Sequence, residues 1–154
     1  MNYFVLEKAM MNRSKVLVVD DELEIREIIK LHLGSEKYQI MEAENGDEAT
    51  QILDNRECMA NVSLILCDIR MPRMNGIECV DYIKSKVPEI PVVVITGYPD
   101  ARLAAYLTGK GIEDFLVKPV EKKVLLKTVE KVLARGQRGG NLTRTVPGNR
   151  AVGS

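Results

Sequence analysis

Short apolar runs alternate with helix-periodic segments along most of the chain, and this alternation limits the folds open to it. Runs of four to six residues rich in Val, Ile and Leu are typical of buried strands. The five predicted strands are KVLVV (15–19), YQIME (38–42), VSLILC (62–67), PVVVIT (91–96) and DFLV (114–117). The five predicted helices cover residues 22–33, 46–56, 76–86, 99–108 and 121–134.

Strands that alternate with helices in this way predict βαβ units and a parallel sheet. The strands at 15–19, 62–67 and 91–96 have almost no polar face, which indicates that both of their faces are covered. Right-handed crossovers then place helices on both sides of the sheet. The predicted fold is a doubly wound α/β domain with a five-stranded parallel sheet.

Length and local composition divide the chain into a domain and two ends. A chain of 154 residues has room for one domain with a full core, which we expect at 14–136. Residues 1–13 form an N-terminal extension, in which Phe4, Val5 and Leu6 could dock on the domain or Met11 could be the natural start. The composition of residues 137–154 predicts a flexible tail or truncated linker, with a basic arm that contacts nucleic acid as the alternative.

Charge, hydropathy and cysteine usage exclude several classes of function. Lys plus Arg equals Asp plus Glu, 22 each, so no overall attraction to nucleic acid or membrane is expected. The chain has neither an apolar run of about 20 residues nor a signal peptide, which predicts a cytoplasmic protein without a membrane partner. Three cysteines without a C-x-x-C pair predict reduced thiols, with Cys67 unreactive in its buried strand.

Chemically active side chains follow four of the predicted strands. Ligands of open parallel sheets bind at the carboxyl ends of the strands, so these residues should meet at one edge. They are Asp20, Asp21 and Glu22 after the first strand, Asp68 after the third, Thr96 after the fourth and Lys118 after the fifth.

This set predicts a metal-assisted phosphoryl site. Crowded carboxylates repel one another and favour a hard divalent cation, and Mg²⁺ prefers such oxygen ligands. The Lys118 ammonium and the Thr96 hydroxyl suit phosphoryl oxygens. Asp68 stands alone on its strand and is the predicted nucleophile, whereas Asp20 and Asp21 are better placed as metal ligands.

Other phosphate chemistries do not fit the sequence. It contains no G-x-x-x-x-G-K-[ST] loop and no G-x-G-x-x-G after the first strand. Arg70 occupies the position two residues after Asp68 at which an aspartyl phosphatase carries its general acid. We therefore do not expect an enzyme that turns over varied substrates.

Each site residue also has an ordinary structural interpretation when it is taken alone. Asp20 and Asp21 could cap a helix, Lys118 could be a solvated surface residue, and Phe115 could belong to the core. The combination of acids, hydroxyl and ammonium at successive strand ends favours the functional interpretation.

Four segments together resemble the receiver domain of two-component response regulators, of the chemotaxis-regulator type. They are VLVVDDE (16–22), CDIRMPRMNGIE (67–78), VVVITG (92–97) and FLVKP (115–119). The resemblance runs from Lys15 to Leu133 and implies a flavodoxin-like fold with strand order 2-1-3-4-5. It also implies that Asp68 accepts a phosphoryl group from a histidine kinase.

The resemblance assigns further roles. Asp20, Asp21 and Asp68 would hold Mg²⁺ with the main-chain carbonyl of Arg70. Thr96 and Lys118 would bind the phosphoryl group, Phe115 would be the aromatic switch residue, and the Lys118–Pro119 bond would be cis. Arg70 and Tyr98 are bulky at positions that line the approach of hydrolytic water, and we expect them to slow dephosphorylation.

The resemblance leaves the output of the switch open. The surface that changes would comprise the fourth helix, fifth strand and fifth helix, around Tyr106, Leu107 and Phe115, and could form a homodimer. No direct contact with nucleic acid is expected from this segment. The alternatives are a non-phosphorylated binding or dimerisation module and the regulatory fragment of a larger DNA-binding or enzyme protein.

Overall fold

The computed structural model of the protein describes residues 2–11, 13–69, 76–98 and 100–142. Strands and helices alternate along most of this part of the chain. The strands are β1 (Ser14–Val19), β2 (Tyr38–Ala43), β3 (Val62–Asp68), β4 (Val92–Thr96) and β5 (Asp114–Val117). The helices are α1 (Tyr3–Met11), α2 (Leu23–Leu33), α3 (Gly46–Asp54), α4 (Arg56–Met59), α5 (Gly76–Lys86), α6 (Ala101–Gly109) and α7 (Lys122–Leu142).

The five strands pair in parallel in the order β2-β1-β3-β4-β5. This confirms the predicted doubly wound, flavodoxin-like α/β fold. Val19 pairs with Cys67, Asp68 with Ile95, and Thr96 with Val117. The register therefore brings the residues that follow β1, β3, β4 and β5 to one edge of the sheet.

Both faces of the sheet are buried, because β1, β3 and β4 alternate apolar side chains between two apolar layers. On one face Val16, Val18 and Leu66 pack with side chains of α2 and α7, and on the other Leu17, Val19 and Ile65 pack with α3 and α5. Burying one such side chain contributes about 1.5–3 kcal/mol. Polar groups are therefore expected at the ends of these strands rather than along them.

Local sequence signals set several helix ends. The Asn45 side chain accepts a hydrogen bond from the Glu48 amide at 2.8 Å and caps α3. Asp100 caps α6 in the same way. Gly34 ends α2 with a positive φ of 72°, which glycine adopts without a steric penalty.

Helix α7 continues to Leu142, beyond the end predicted at residue 134. Gly136 does not stop it, because a helical glycine costs only about 1 kcal/mol relative to alanine and keeps its amide donor. The predicted boundary at residue 136 thus falls inside a helix, and the first six residues of the predicted tail, 137–142, are helical. Residues 143–154 lie outside the described part of the chain.

Helices α1 and α4 were not predicted. Helix α1 lies within the N-terminal extension at 1–13, and its Phe4 and Leu6 side chains are 74% and 47% exposed, so docking of these side chains on the core is not observed. Asn55 caps the single turn of α4 by accepting from the amides of Glu57 and Cys58. None of the helices in the described ranges combines the length and apolar character that a membrane crossing requires.

Candidate functional site

The carboxyl edge of the sheet carries the residues that the strand-end pattern singled out. Asp20 follows β1, Asp68 ends β3 and Thr96 ends β4, and all three are buried. The Lys118 amide donates to the Thr96 carbonyl at 2.8 Å, which fixes the start of the lysine side chain beside β4. The Lys118–Pro119 peptide is cis, as the family resemblance implies.

The Lys118 ammonium lies among three carboxylates. Its Nζ is 3.0 Å from Asp68 Oδ2, 3.2 Å from Asp20 Oδ2 and 2.8 Å from Glu22 Oε1. Burial opposes the charge of this ammonium, but its hydrogen bonds to Glu22 and Asp68 raise the pKa of Lys118 above the ordinary value. Lys118 therefore stays protonated and holds β1, β3 and β5 together electrostatically.

Asp20 is an acid whose charge is poorly compensated. It is fully buried, and its Oδ1 accepts a hydrogen bond from the Glu22 amide at 2.8 Å. Oδ2 makes no hydrogen bond with any described residue, although it lies near Lys118. The pKa of Asp20 is raised from 3.8 to about 6, chiefly by burial and also by the neighbouring Asp68 carboxylate, against the opposing effects of the Glu22 amide and Lys118.

These carboxylates form a donor set that fits a divalent cation. One carboxylate oxygen from each of Asp20, Asp21, Glu22 and Asp68 lies within 4.8 Å of the others. The oxygens are hard ligands, and two of the acids are buried and two are exposed. Asp20 Oδ2 accepts no hydrogen bond from a described residue and shares the single Lys118 ammonium with Asp68 and Glu22, which leaves this group of acids short of positive charge. The Arg70 carbonyl, predicted as a further ligand, lies outside the described residues.

Two further residues contribute to the site beyond those that were given a role from the sequence. Glu22 was expected at this edge without an assigned role, and it pairs with Lys118. Arg26, in α2, is buried, and its Nη1 donates to the Asp20 main-chain carbonyl at 2.7 Å. Its Nε donates to Glu42 Oε1 at 3.1 Å, and Lys30 pairs with the other oxygen of Glu42.

Arg26 therefore holds the backbone of Asp20 against the end of β2. The sequence of α2 does not mark Arg26 as buried, because charged residues are common in amphipathic helices. The sequence shows only that an acid, Glu42, lies near the end of β2 and that a basic residue lies in the preceding helix.

Thr96 and Phe115 lie at the β4–β5 side of the same edge. The Thr96 hydroxyl donates to the Tyr98 carbonyl at 3.2 Å and accepts from the Tyr98 amide at 3.1 Å. Thr96, Tyr98 and Phe115 line a cavity of about 350 Å³ under α6, whose other walls are apolar side chains and Asp100. Phe115 is half-buried and packs against the apolar cluster beneath α6.

Comparison with known proteins agrees with this geometry. The family model described as the response regulator receiver domain matches residues 16–130. A solved receiver domain protein (CheY-like) from Methanospirillum hungatei superimposes with a TM-score of 0.76 at 25% identity, covering 84% of this chain and 100% of the other.

Two curated relatives match over most of this chain. The transcriptional regulatory protein ResD of Bacillus subtilis is 34% identical over 136 residues, which are 88% of this chain and 55% of ResD. The response regulator protein PilR of Pseudomonas aeruginosa is 37% identical over 123 residues, 80% of this chain and 27% of PilR. The chain thus spans between about a quarter and just over half of these relatives. It belongs to the response regulator receiver domain family.

Proposed function

We propose that this receiver domain accepts a phosphoryl group from a histidine kinase onto Asp68 in a Mg²⁺-dependent step. The observation that carries the proposal is the contact between the Lys118 ammonium and the Asp68 carboxylate, 3.0 Å apart, beside the buried Asp20 carboxylate, whose Oδ2 lies 3.2 Å from the same ammonium. Receiver domains are regulatory, so the phosphoryl group serves as a signal rather than as an intermediate of substrate turnover.

The chemistry is nucleophilic substitution at phosphorus. An Asp68 carboxylate oxygen attacks the phosphorus of a phosphohistidine, a P–O bond forms and the P–N bond breaks, and the departing imidazole keeps the electron pair and takes a proton. Negative charge grows on the phosphoryl oxygens as they pass between the two groups. Lys118 lies within reach of these oxygens and offsets that charge.

The proposed metal ligands are Asp20, Asp21 and Asp68, with the Arg70 main-chain carbonyl. A bound Mg²⁺ would supply positive charge to the transferring phosphoryl oxygens. Asp20 and Asp68 present rigid, buried oxygens for this cation, and Arg26 fixes the backbone of Asp20. Glu22 reaches the same volume from an exposed position and can contribute an oxygen or hold Lys118.

Phosphorylation would then redirect Thr96. Its hydroxyl now hydrogen-bonds the Tyr98 backbone, and a new phosphoryl group next to β4 competes for that donor as a charged and therefore stronger acceptor. Turning the hydroxyl toward the phosphate frees space beside the cavity that Phe115 lines, so this ring can turn inward as the switch. The equilibrium shifts because the phosphorylated state gains contacts that the free state lacks.

The surface that reports this change is the face of α6, β5 and α7, which we propose binds partners and forms a homodimer. Tyr106 and Val117 are about half exposed on it, and Lys131 pairs with Asp114 across it at 2.8 Å. Tyr98, which is 63% exposed beside Thr96, would slow the approach of hydrolytic water together with Arg70.

The organisation of the chain is part of the proposal. Residues 14–136 form the receiver unit, preceded by an extension at 1–13 and followed by a tail or linker whose first residues continue α7. We also propose a cytoplasmic location. An output domain or a separate output protein is proposed because relatives such as ResD and PilR are regulators longer than this chain.

Intact-mass spectrometry after incubation with acetyl phosphate tests the proposal. We expect the wild-type protein to gain one phosphoryl group with Mg²⁺ and none with EDTA, and Asp68→Asn to gain none. Asp81→Asn is the matched control, since Asp81 is exposed on α5 and pairs with Lys110 outside the site. Equal labelling of the Asp68 variant, or labelling of the wild type without metal, would show that the site works differently.

The alternative is a binding module that uses the same fold without phosphorylation. It predicts no labelling of the wild type by either a small phosphodonor or a phosphorylated kinase, although Mg²⁺ still binds. The complete set of acids and the lysine at the site favours phosphorylation.

A further inference from the structure

Two buried thiols face each other directly behind the acidic site. The Sγ atoms of Cys67, on β3, and Cys79, on α5, are 3.8 Å apart, and the Cys67 thiol is positioned to donate to the Cys79 sulfur. Cys67 is the residue before Asp68, and its Sγ also lies 3.4 Å from the Asp68 main-chain carbonyl oxygen. Both residues are at most 2% exposed.

We propose that Cys67 and Cys79 form an oxidisable dithiol that a peroxide converts into a disulfide, and that this disulfide inhibits phosphorylation of Asp68. The second half of the inference rests on the proposed function, whereas the first half does not. The sequence alone predicted an unreactive Cys67, because the two cysteines are 12 positions apart and their contact depends on the packing of α5 against β3.

The oxidation proceeds in two balanced steps. The Cys79 sulfur attacks one peroxide oxygen, the O–O bond breaks, and a sulfenic acid and one water form. The Cys67 sulfur then attacks the Cys79 sulfur, the S–S bond forms, and the sulfenic oxygen leaves as a second water. The two thiols lose two electrons, hydrogen peroxide gains them, and the thiol protons end in the waters.

The positions of the thiols favour this order of reaction. The hydrogen bond from Cys67 lowers the pKa of the Cys79 thiol against the opposing effect of burial, so Cys79 is the better nucleophile. The burial of both sulfurs restricts the oxidant to a small molecule such as hydrogen peroxide. Cys58, half-buried in α4, is a separate thiol and serves as an internal reference.

Closing the disulfide must disturb Asp68. A disulfide is about 2.05 Å long, so the sulfurs must approach by roughly 1.7 Å from their present separation. Packed interiors transmit such movements rather than absorb them. Oxidation also leaves the Cys67 sulfur, which lies 3.4 Å from the Asp68 main-chain carbonyl oxygen, without a proton to donate. A displacement of about 1 Å at reacting groups can cost on the order of a hundredfold in rate.

Thiol counting tests the first half. Reduced protein is treated with hydrogen peroxide, quenched, and alkylated with iodoacetamide under denaturing but non-reducing conditions. We expect the number of labels to fall from three, the number of cysteines, to the one on Cys58, with a Cys67–Cys79 linked peptide after digestion. The Cys58→Ser variant should keep the linkage, and Cys67→Ser and Cys79→Ala should lose it.

Three labels on peroxide-treated wild-type protein, or linkages that include Cys58, would overturn the proposal that Cys67 and Cys79 form an oxidisable dithiol.

For the second half of the inference, the rate at which acetyl phosphate and Mg²⁺ phosphorylate Asp68 is compared before and after oxidation. We expect the oxidised wild type to react at least about tenfold more slowly than the reduced protein, reductant to restore the rate, and the rate of Cys79→Ala to be insensitive to peroxide. An unchanged rate in disulfide-bonded protein would refute the coupling. Absence of phosphorylation in the reduced protein would instead refute the proposed function and leave the thiol result standing.

Discussion

Replacing Asp20 with asparagine should stabilise the metal-free protein at neutral pH. The Asp20 carboxyl is fully buried, and its folded-state pKa of about 6 lies above its ordinary value of 3.8. The difference of about two units corresponds to about 3 kcal/mol at roughly 1.4 kcal/mol per unit. This pKa already reflects the attraction of Lys118, so about 3 kcal/mol is the upper limit of the gain.

The predicted gain depends on pH in a definite direction. Between about pH 4 and pH 6 the folded wild type binds more protons at Asp20 than the unfolded chain, so this group's contribution to stability falls as the pH rises. Below about pH 4 the carboxyl is protonated in both states, and the asparagine variant should be close to the wild type. Above about pH 6 the variant should be more stable by up to the full amount.

Urea unfolding followed by far-UV circular dichroism suits a chain without tryptophan. The wild type, Asp20→Asn and the exposed-site control Asp81→Asn are compared in EDTA at about pH 4 and about pH 7.5. Saturating Mg²⁺ should stabilise the wild type more than Asp20→Asn and so narrow the difference at neutral pH. If Asp20→Asn is no more stable than the wild type at neutral pH, burial does not dominate the energetics of this carboxylate and our reasoning fails.

Three further predictions concern Arg26 and Lys118 at the site and the N-terminal cap of α3. Arg26→Met should lower the free energy of unfolding in urea by about 1–3 kcal/mol, because the buried Asp20 carbonyl loses its hydrogen-bond donor. Lys30→Met removes only the outer partner of Glu42 and should lower this free energy much less. Lys118→Met should slow phosphorylation by acetyl phosphate on the order of a hundredfold, whereas Lys110→Met should leave the rate unchanged. Equal rates for Lys118→Met and the wild type would exclude a role for the Lys118 ammonium. Asn45→Ala should lower the free energy of unfolding by about 1 kcal/mol through loss of the α3 cap, and an unchanged value would mean that water replaces the cap.

The strands and their order could be predicted because each carries its own signal. The five predicted strands agree with the observed ones to within about one residue at each end. The convergence of Asp20, Asp68 and Lys118 followed from a general rule, since parallel strands bring their carboxyl ends to one edge. The observed contacts of the lysine ammonium with both carboxylates agree with that expectation.

The remaining features depend on tertiary contacts that short sequence windows do not contain. The apolar periodicity of α2 includes Ile28, which is 38% exposed, while the charged Arg26 is buried against Asp20 and Glu42. Val124 likewise follows the apolar periodicity of α7 but is 48% exposed. The burial of an arginine is favourable here only because two acceptors from other elements meet it, and the sequence does not reveal where those acceptors lie.

The excess of acids around Lys118 has a kinetic consequence. Within this cluster four carboxylates face one ammonium, so three negative charges remain uncompensated when all of these groups are ionised. In the proposed reaction a phosphodonor also carries negative charge, so it would be repelled from the cleft until a divalent ion has entered. Binding should thus be ordered, cation first and donor second, and the free magnesium concentration would then determine how often an encounter with the donor is productive.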